Sequence, residues 1–276
     1  MIRIFLPPEE LASGKSIITG ENARRLALVL RVQPGETVTA LDGRGFRYEC
    51  RVVSVHKKEV VAEVVGKESY SAESSVPITL AQGIPKGEKM DAIVQKSTEL
   101  GVSKIIPLIT GRSLVRHTHR AARWRRIALS ASQQSGRQKI PEVESPRDFS
   151  EFLVSQIAYD RPDLHPFSPG DGINSGSPPS IPSPPAGEGR GEKGPLKIIF
   201  SEGHGERNLK KVLRSFGGTG GITLLIGPEG GFSGEEVTEA VKTGFIRASL
   251  GPRILRTETA PVAAISIIQY ELGDMG

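Results

Sequence analysis

The stretch Leu224-Leu225-Ile226-Gly227-Pro228-Glu229-Gly230-Gly231-Phe232-Ser233-Gly234-Glu235-Glu236-Val237 places a glycine-rich turn between an apolar run and a helix start. Residues 222–226 read as a short strand buried on both faces. Ser233 is placed to cap a helix, with Glu236 three residues on as its capping-box partner and Gly244 to close it. Gly227, Gly230 and Gly231 thus occupy a strand-to-helix turn, where they accept positive φ and let a ligand lie close to the backbone. The layout then repeats. A strand over Phe245 to Leu250 leads through Gly251-Pro252-Arg253-Ile254-Leu255-Arg256 to a helix capped by Thr257 or Thr259, with Pro261 in its first turn. Ligands of open α/β sheets sit at the carboxyl ends of strands, so the two loops are predicted to be two lips of one small-molecule pocket.

Two common pocket types are excluded by inspection. A phosphate-binding P-loop needs Gly-Lys-Ser/Thr at the helix start, and neither loop has it. A dinucleotide fingerprint needs G-x-G-x-x-G in a first βαβ unit, whereas Gly227 to Gly231 reads G-x-x-G-G near the C-terminus.

Upstream, residues 1–70 read as strands: Thr37 to Leu41, a turn at Asp42-Gly43, then Phe46 to Val55 and Val60 to Val65, with one helix from Glu21 to Arg31. Closely spaced strands with tight turns predict a small barrel. From Ile78 the pattern changes to strand Ile78 to Gln82, helix Glu88 to Leu100, strand Lys104 to Ile109 and helix Ala121 to Gln134. That alternation predicts a mostly parallel sheet covered by helices, spanning residues 71–276. Residues 160–195 hold 9 prolines and 7 glycines in 36 positions, a composition read as a disordered insertion.

Residues 86–147 carry 13 Lys or Arg against 5 Asp or Glu, an excess of +8, whereas the whole chain carries +5. A concentration of this kind, around Arg112, Arg116, Arg120, Arg123, Arg125, Arg126 and Arg137, is the footprint expected for a phosphate backbone, although a solvated basic helix face gives the same count. Trp124 falls on the apolar face of its helix with Ile127, Ala128 and Ala131 and is assigned to the core. His117 and His119 have no metal-site spacing, so no metal is expected. Cys50 is the sole cysteine; it is read as a packed strand residue, compatible with a reducing cytoplasm. No signal peptide or bilayer-length apolar segment is found, and no membrane partner is expected.

The segments "LLIGPEGGFSGEEV" and "LGPRILRTETAPVAAI", with Gly87-Glu88-Lys89-Met90 leading into Gln95-Lys96-Ser97-Thr98-Glu99-Leu100-Gly101-Val102 and with Gln133-Gln134-Ser135-Gly136-Arg137, resemble the signature of the RsmE family of SPOUT methyltransferases. Four motifs in one order make the likeness far more specific than one glycine loop, and it spans nearly the whole chain. It implies an α/β fold: a SPOUT-type knotted methyltransferase domain behind a small N-terminal PUA-like β-barrel that binds RNA. It also implies S-adenosyl-L-methionine as cofactor, a homodimer with the site at its interface, and methylation of N3 of a uridine in bacterial 16S ribosomal RNA on the small ribosomal subunit, in the cytoplasm. Members pass residues 160–195 with a shorter connection, so here the chain departs from the pattern.

By the resemblance, Phe200, Glu202, Gly203, Leu225, Ile226, Gly227, Pro228, Gly231, Leu250, Gly251, Leu255 and Arg256 surround the cofactor. Arg31, Lys96, Arg112, Arg116 and Arg137 are the expected RNA contacts. The uridine imide carries a proton, so methylation there needs a base or a stabiliser of the developing anion. Glu258 as base and Arg256 as stabiliser are the expected catalytic pair; Glu202 and Glu229 are the next carboxylates, and Glu258 is equally a carboxylate favoured by the helix dipole. A SPOUT enzyme acting on a ribose 2′-hydroxyl or on transfer RNA, or a non-enzymatic RNA-binding assembly factor, are the alternative readings.

Overall fold

A computed structural model describes residues 2–69, 72–114, 118–160, 194–201, 207–217 and 220–276. The N-terminal part is a sheet of β1 (Arg3–Phe5), β2 (Lys15–Thr19), β3 (Thr37–Leu41), β4 (Phe46–Val55) and β5 (Glu59–Ser69) in the order β1-β3-β4-β5-β2, with α1 (Pro8–Ala12) between β1 and β2. Along β4, Tyr48, Cys50 and Val52 are buried while Glu49, Arg51 and Val53 are exposed, the period of two expected of a half-buried strand. Register shifts between β4 and β5 at Glu49/Cys50 and Val52/Ser54 bend the pair. The sheet curls as a half-barrel over a core that includes Ile4, Ile18, Val38 and Val60. Cys50 is fully buried there, and burial pushes its thiol up to about 11.

The helix predicted over Glu21 to Arg31 is shorter. It is α2 (Gly20–Arg24), followed by a π-helical turn over Arg25–Val29. The Leu30 N–H donates to the Arg25 carbonyl and the Val32 N–H to that of Leu26, which lets Leu26 and Val32 both reach the core. Closing the turn this way puts Arg31 at φ 52, in the left-handed region, and leaves Leu28, Val29 and Leu30 exposed.

The second part comprises β6 (Ile78–Gly83), α3 (Lys89–Glu99), β7 (Lys104–Ile109), α4 (Ala121–Ser135), β8 (Glu142–Val143), β9 (Arg147–Asp148), α5 (Phe149–Asp160), β10 (Leu196–Phe200), β11 (Arg207–Asn208), α6 (Leu209–Ser215), β12 (Ile222–Ile226), α7 (Gly234–Lys242), β13 (Ile246–Ser249) and α8 (Thr259–Leu272). Its sheet runs β11-β13-β10-β12-β6-β7-β8, with β9 beside β7, and each of these strand pairs is parallel. Successive strand residues serve opposite faces: Leu224 joins the core under α3, α4, α6 and α8, and Leu225 the core under α5 and α7. Both faces are covered, which is why the strands read as continuous apolar runs. Trp124 is buried in the first of these cores. The insertion at 160–195 lies almost entirely outside the described residues.

The half-barrel docks against one end of α4. Arg3 donates to the Gln134 carbonyl at 2.9 Å, Arg25 bonds the Gln133 side chain, and Glu73 accepts from Arg137 and from the N–H groups of Gln138 and Lys139. The other end of α4 adjoins the start of α3, where Trp124 Nε1 donates to Asp91 and Arg120 to the Gly87 carbonyl. Fifteen residues separate the ends, about 22 Å at helical rise.

Candidate active site

The first lip leaves β12 at Gly227 and is packed too tightly for side chains. A Cβ on Gly227 would stand 3.0 Å from Gly231 backbone atoms, and one on Gly83, at the end of the neighbouring β6, would stand 2.5 Å from Pro228 Cδ. Gly231 is at φ 65 and its N–H donates to the Pro228 carbonyl at 2.9 Å, closing the turn. The helix that follows starts as the sequence predicts: the Ser233 side chain accepts from the Glu236 N–H, and Glu236 from the Ser233 N–H, a complete capping box. Glu236 also accepts from the Gly111 N–H at 2.7 Å, tying the loop after β7 to this helix start.

The second lip is clasped to the first. Thr257 Oγ1 donates to the Gly227 carbonyl at 2.9 Å, and Gln82 Nε2 donates to the same carbonyl at 3.2 Å. Both side chains are buried. Thr257 is therefore not the cap of α8; the cap position belongs to Glu258, and Thr259 is the first helical residue. The Thr257 hydroxyl, expected as a cap, is instead engaged by the loop opposite. The lips do not come from adjacent strands. β12 and β13 flank β10, so Phe200, at the end of β10 and paired with Ile226 and Ala248, lies between them.

Charge collects where the lips meet the start of α3. Lys89 Nζ lies 2.8 Å from Glu229 Oε1 and 3.9 Å from Glu258 Oε2. The Glu229 hydrogen bond holds the Lys89 ammonium above the ordinary lysine value, against partial burial and the like charge of Arg256. Burial pushes the Glu229 carboxyl up, and hydrogen bonds from Lys89 and from the Lys86 N–H outweigh it, leaving it below the ordinary value. Glu258 Oε2 is buried and, among the described residues, accepts no hydrogen bond. Arg256 is exposed, and Arg112 donates to the Gly230 carbonyl at 2.9 Å.

Of the residues expected in the pocket, Phe200, Leu250, Gly251 and Leu255 are partly exposed, Leu225 and Ile226 are buried at the end of β12, and Gly227, Pro228 and Gly231 form the first lip. Glu202, Gly203 and Arg116 lie outside the described residues. Among the expected RNA contacts Arg112 joins the site, whereas Arg31 is in the half-barrel and Lys96 pairs with Glu99 on α3. Arg137 is corrected: its side chain is only 4% exposed, ion-paired with Glu73 and bonded to the Thr98 and Val102 carbonyls, so it ties the segment before β6 to the end of α3 and does not face solvent. Gln82, Gly83 and Lys89 are not singled out as site residues by the sequence; Lys89 stands in one of the quoted motifs, whereas the partners that bring Gln82 and Gly83 to the site, Gly227 and Pro228, are about 145 residues away.

The comparisons agree with this architecture. A model of the RNA methyltransferase domain family matches residues 72–162 and 191–269, leaving out 163–190, and one of the RNA methyltransferase PUA domain matches 18–65. Ribosomal RNA small subunit methyltransferase E of Bacillus subtilis is 29% identical over 92% of this chain and 89% of its own. The crystal structure of ribosomal RNA small subunit methyltransferase E from Neisseria gonorrhoeae, bound to S-adenosyl methionine, is 34% identical, covers 100% of both chains and superposes with a TM-score of 0.77. A methyltransferase structure from Legionella pneumophila, in complex with the bound cofactor SAM, is 31% identical over 99% of this chain and 98% of that one, with a TM-score of 0.78. A half-barrel of the PUA type joined to a parallel sheet with clasped glycine loops, matched over nearly all its length, places this chain in the ribosomal RNA small subunit methyltransferase E family of RNA methyltransferases.

Proposed function

We propose that this chain methylates N3 of a uridine in 16S ribosomal RNA of the small subunit, in the cytoplasm, with S-adenosyl-L-methionine as donor. The observation that carries the chemistry is Glu258, whose Oε2 is withdrawn from solvent without a hydrogen-bond partner, two residues from the exposed Arg256 and beside the clasped lips. The residues fit the cofactor. The lip at Gly227 and Gly83 has no space for a Cβ, so the loop keeps the shape that lets a ligand approach its backbone. Phe200, Leu250 and Leu255 supply partly exposed apolar walls, and among the described residues no protein acceptor meets the N–H groups of Ile254, Leu255 and Arg256. Such a pocket, mostly apolar with a few convergent polar groups, suits a nucleoside.

When bound, the cofactor supplies a methyl group on a sulfonium centre. Glu258 accepts the imide proton, and Arg256 stabilises the charge left on the base. Arg112, over the first lip, and Arg31, in the half-barrel, are assigned to RNA phosphates. The functional unit is a homodimer, and the knot belongs to the same proposal: the Gly227 carbonyl, reached by both Gln82 and Thr257, marks where the threaded loops would cross. The deciding experiment is incubation with small ribosomal subunits, free 16S RNA and transfer RNA, followed by mass-spectrometric mapping. A methyl on a uridine base of 16S RNA is expected. Methylation confined to ribose or to transfer RNA would reject the substrate, and absence of cofactor binding by calorimetry would reject an enzyme altogether.

A further inference from the structure

Lys89 stands in an electrostatically adverse place. It is the first residue of α3, where the helix dipole disfavours a cation, so the helix gains nothing from it. What surrounds it is one carboxylate from each lip: Glu229 at 2.8 Å and Glu258 at 3.9 Å. The two differ in commitment. Glu229 already accepts from the Lys86 N–H with both oxygens, whereas Glu258 keeps Oε2, the oxygen nearer Lys89, free of any hydrogen bond. The Glu258 side chain is 27% exposed and that of Lys89 40%, so the pair is partly shielded and open on one side.

We infer that Lys89 is a positioning residue for methyl transfer: anchored on Glu229, its ammonium draws on the buried Oε2 of Glu258 and so fixes the orientation of the carboxylate that receives the imide proton of the substrate. In the step it serves, the N3–H bond breaks, the proton passes to the Glu258 carboxylate, and the electron pair remains on N3. In this role Lys89 acts through Glu258 and not directly on the nucleobase or the donor. Its hydrogen bond to Glu229 keeps it protonated throughout the neutral range, so it does not compete for that proton. This inference rests on Glu258 being the base.

The test is single-turnover methylation by the whole chain with the RNA that the mapping experiment above identifies. Glu258→Gln is expected to slow the step by roughly 100-fold or more, the scale of a lost general base. Lys89→Met and Lys89→Gln should each slow it by about 10–100-fold with cofactor affinity by calorimetry within about threefold of the parent, and Lys89→Arg should recover most of the rate. Added to Glu258→Gln, Lys89→Met should cost less than about threefold, because the lysine acts through a group already removed. Multiplicative losses in that double variant overturn the positioning role. So does an unimpaired Lys89→Met, a cofactor affinity lowered more than about tenfold in both neutral variants, or a raised KM for RNA at unchanged turnover. Full activity of Glu258→Gln instead rejects the base itself, whatever Lys89 does.

Discussion

Two glycines on neighbouring strand ends, Gly83 and Gly227, decide whether the first lip can form. A Cβ at Gly83 meets Pro228 Cδ at 2.5 Å and Pro228 N at 2.7 Å, a clash with backbone and ring and not with a side chain that could swing away. Gly83→Ala is therefore expected to cost about 1–3 kcal/mol of stability, as overpacking does, and to displace the lip enough to weaken S-adenosylmethionine binding. Normal cofactor affinity by calorimetry in this variant would show that the lip moves without consequence. Gly231 differs, since nothing lies within 4 Å of its Cβ position and only its φ of 65 opposes a side chain. Gly231→Ala should accordingly be milder than Gly231→Val, whose branched Cβ adds to the conformational strain. Gly227 and Gly231 could be picked out from sequence because a turn between a strand and a capped helix is a local pattern. Gly83 could not, because its constraint comes from Pro228, 145 residues away. Arg137 shows the converse: a charge count weighs a buried, ion-paired guanidinium the same as one facing solvent.

At the level of elements, α7 owes its start to more than its cap. Ser233→Ala removes one acceptor at a helix N-terminus and should cost about 1 kcal/mol. Glu236→Ala removes the reciprocal half of the capping box together with the anchor of the Gly111 N–H, two hydrogen bonds to one carboxylate, and should cost about 2–3 kcal/mol. Urea unfolding of both variants gives the comparison; equal losses would mean that the Gly111 contact adds nothing. The capping box was readable because its residues lie three apart. The loop after β7 that it holds was not, and neither was the π-helical turn after α2, where burial of both Leu26 and Val32 overrides a regular helical continuation to Arg31.

Across the whole molecule, α4 spans the distance between the lips and the half-barrel. Its start adjoins the lips and its end carries the half-barrel, so an RNA held at both, as proposed above, would extend along roughly 22 Å, the helix length at normal rise. Arg3→Ala combined with Arg25→Ala removes two bonds of the seam, and is expected to raise KM for RNA severalfold while cofactor affinity stays unchanged. A fall in cofactor affinity would mean that the two parts are coupled through α4. We also propose that residues 162–194 are dispensable, because the family match passes over 163–190 and their composition offers little apolar area to bury. Deleting them should leave melting temperature and methylation nearly unchanged, and a large loss of melting temperature would refute this. The alternation of strands and helices was enough to predict a parallel sheet, but not that β10 lies between β12 and β13, since strand order depends on contacts far apart in the chain.

Cys50 gives the half-barrel its own reporter. It is the sole thiol of the chain, wholly enclosed by the N-terminal core and held at about 11 by that enclosure, so at neutral pH the folded protein offers almost no thiolate to an alkylating reagent. Modification must then await local opening, and its rate at fixed reagent concentration times the breathing of the half-barrel alone. Ligands of the parallel sheet should leave that clock untouched, whereas an RNA gripping the half-barrel should slow it.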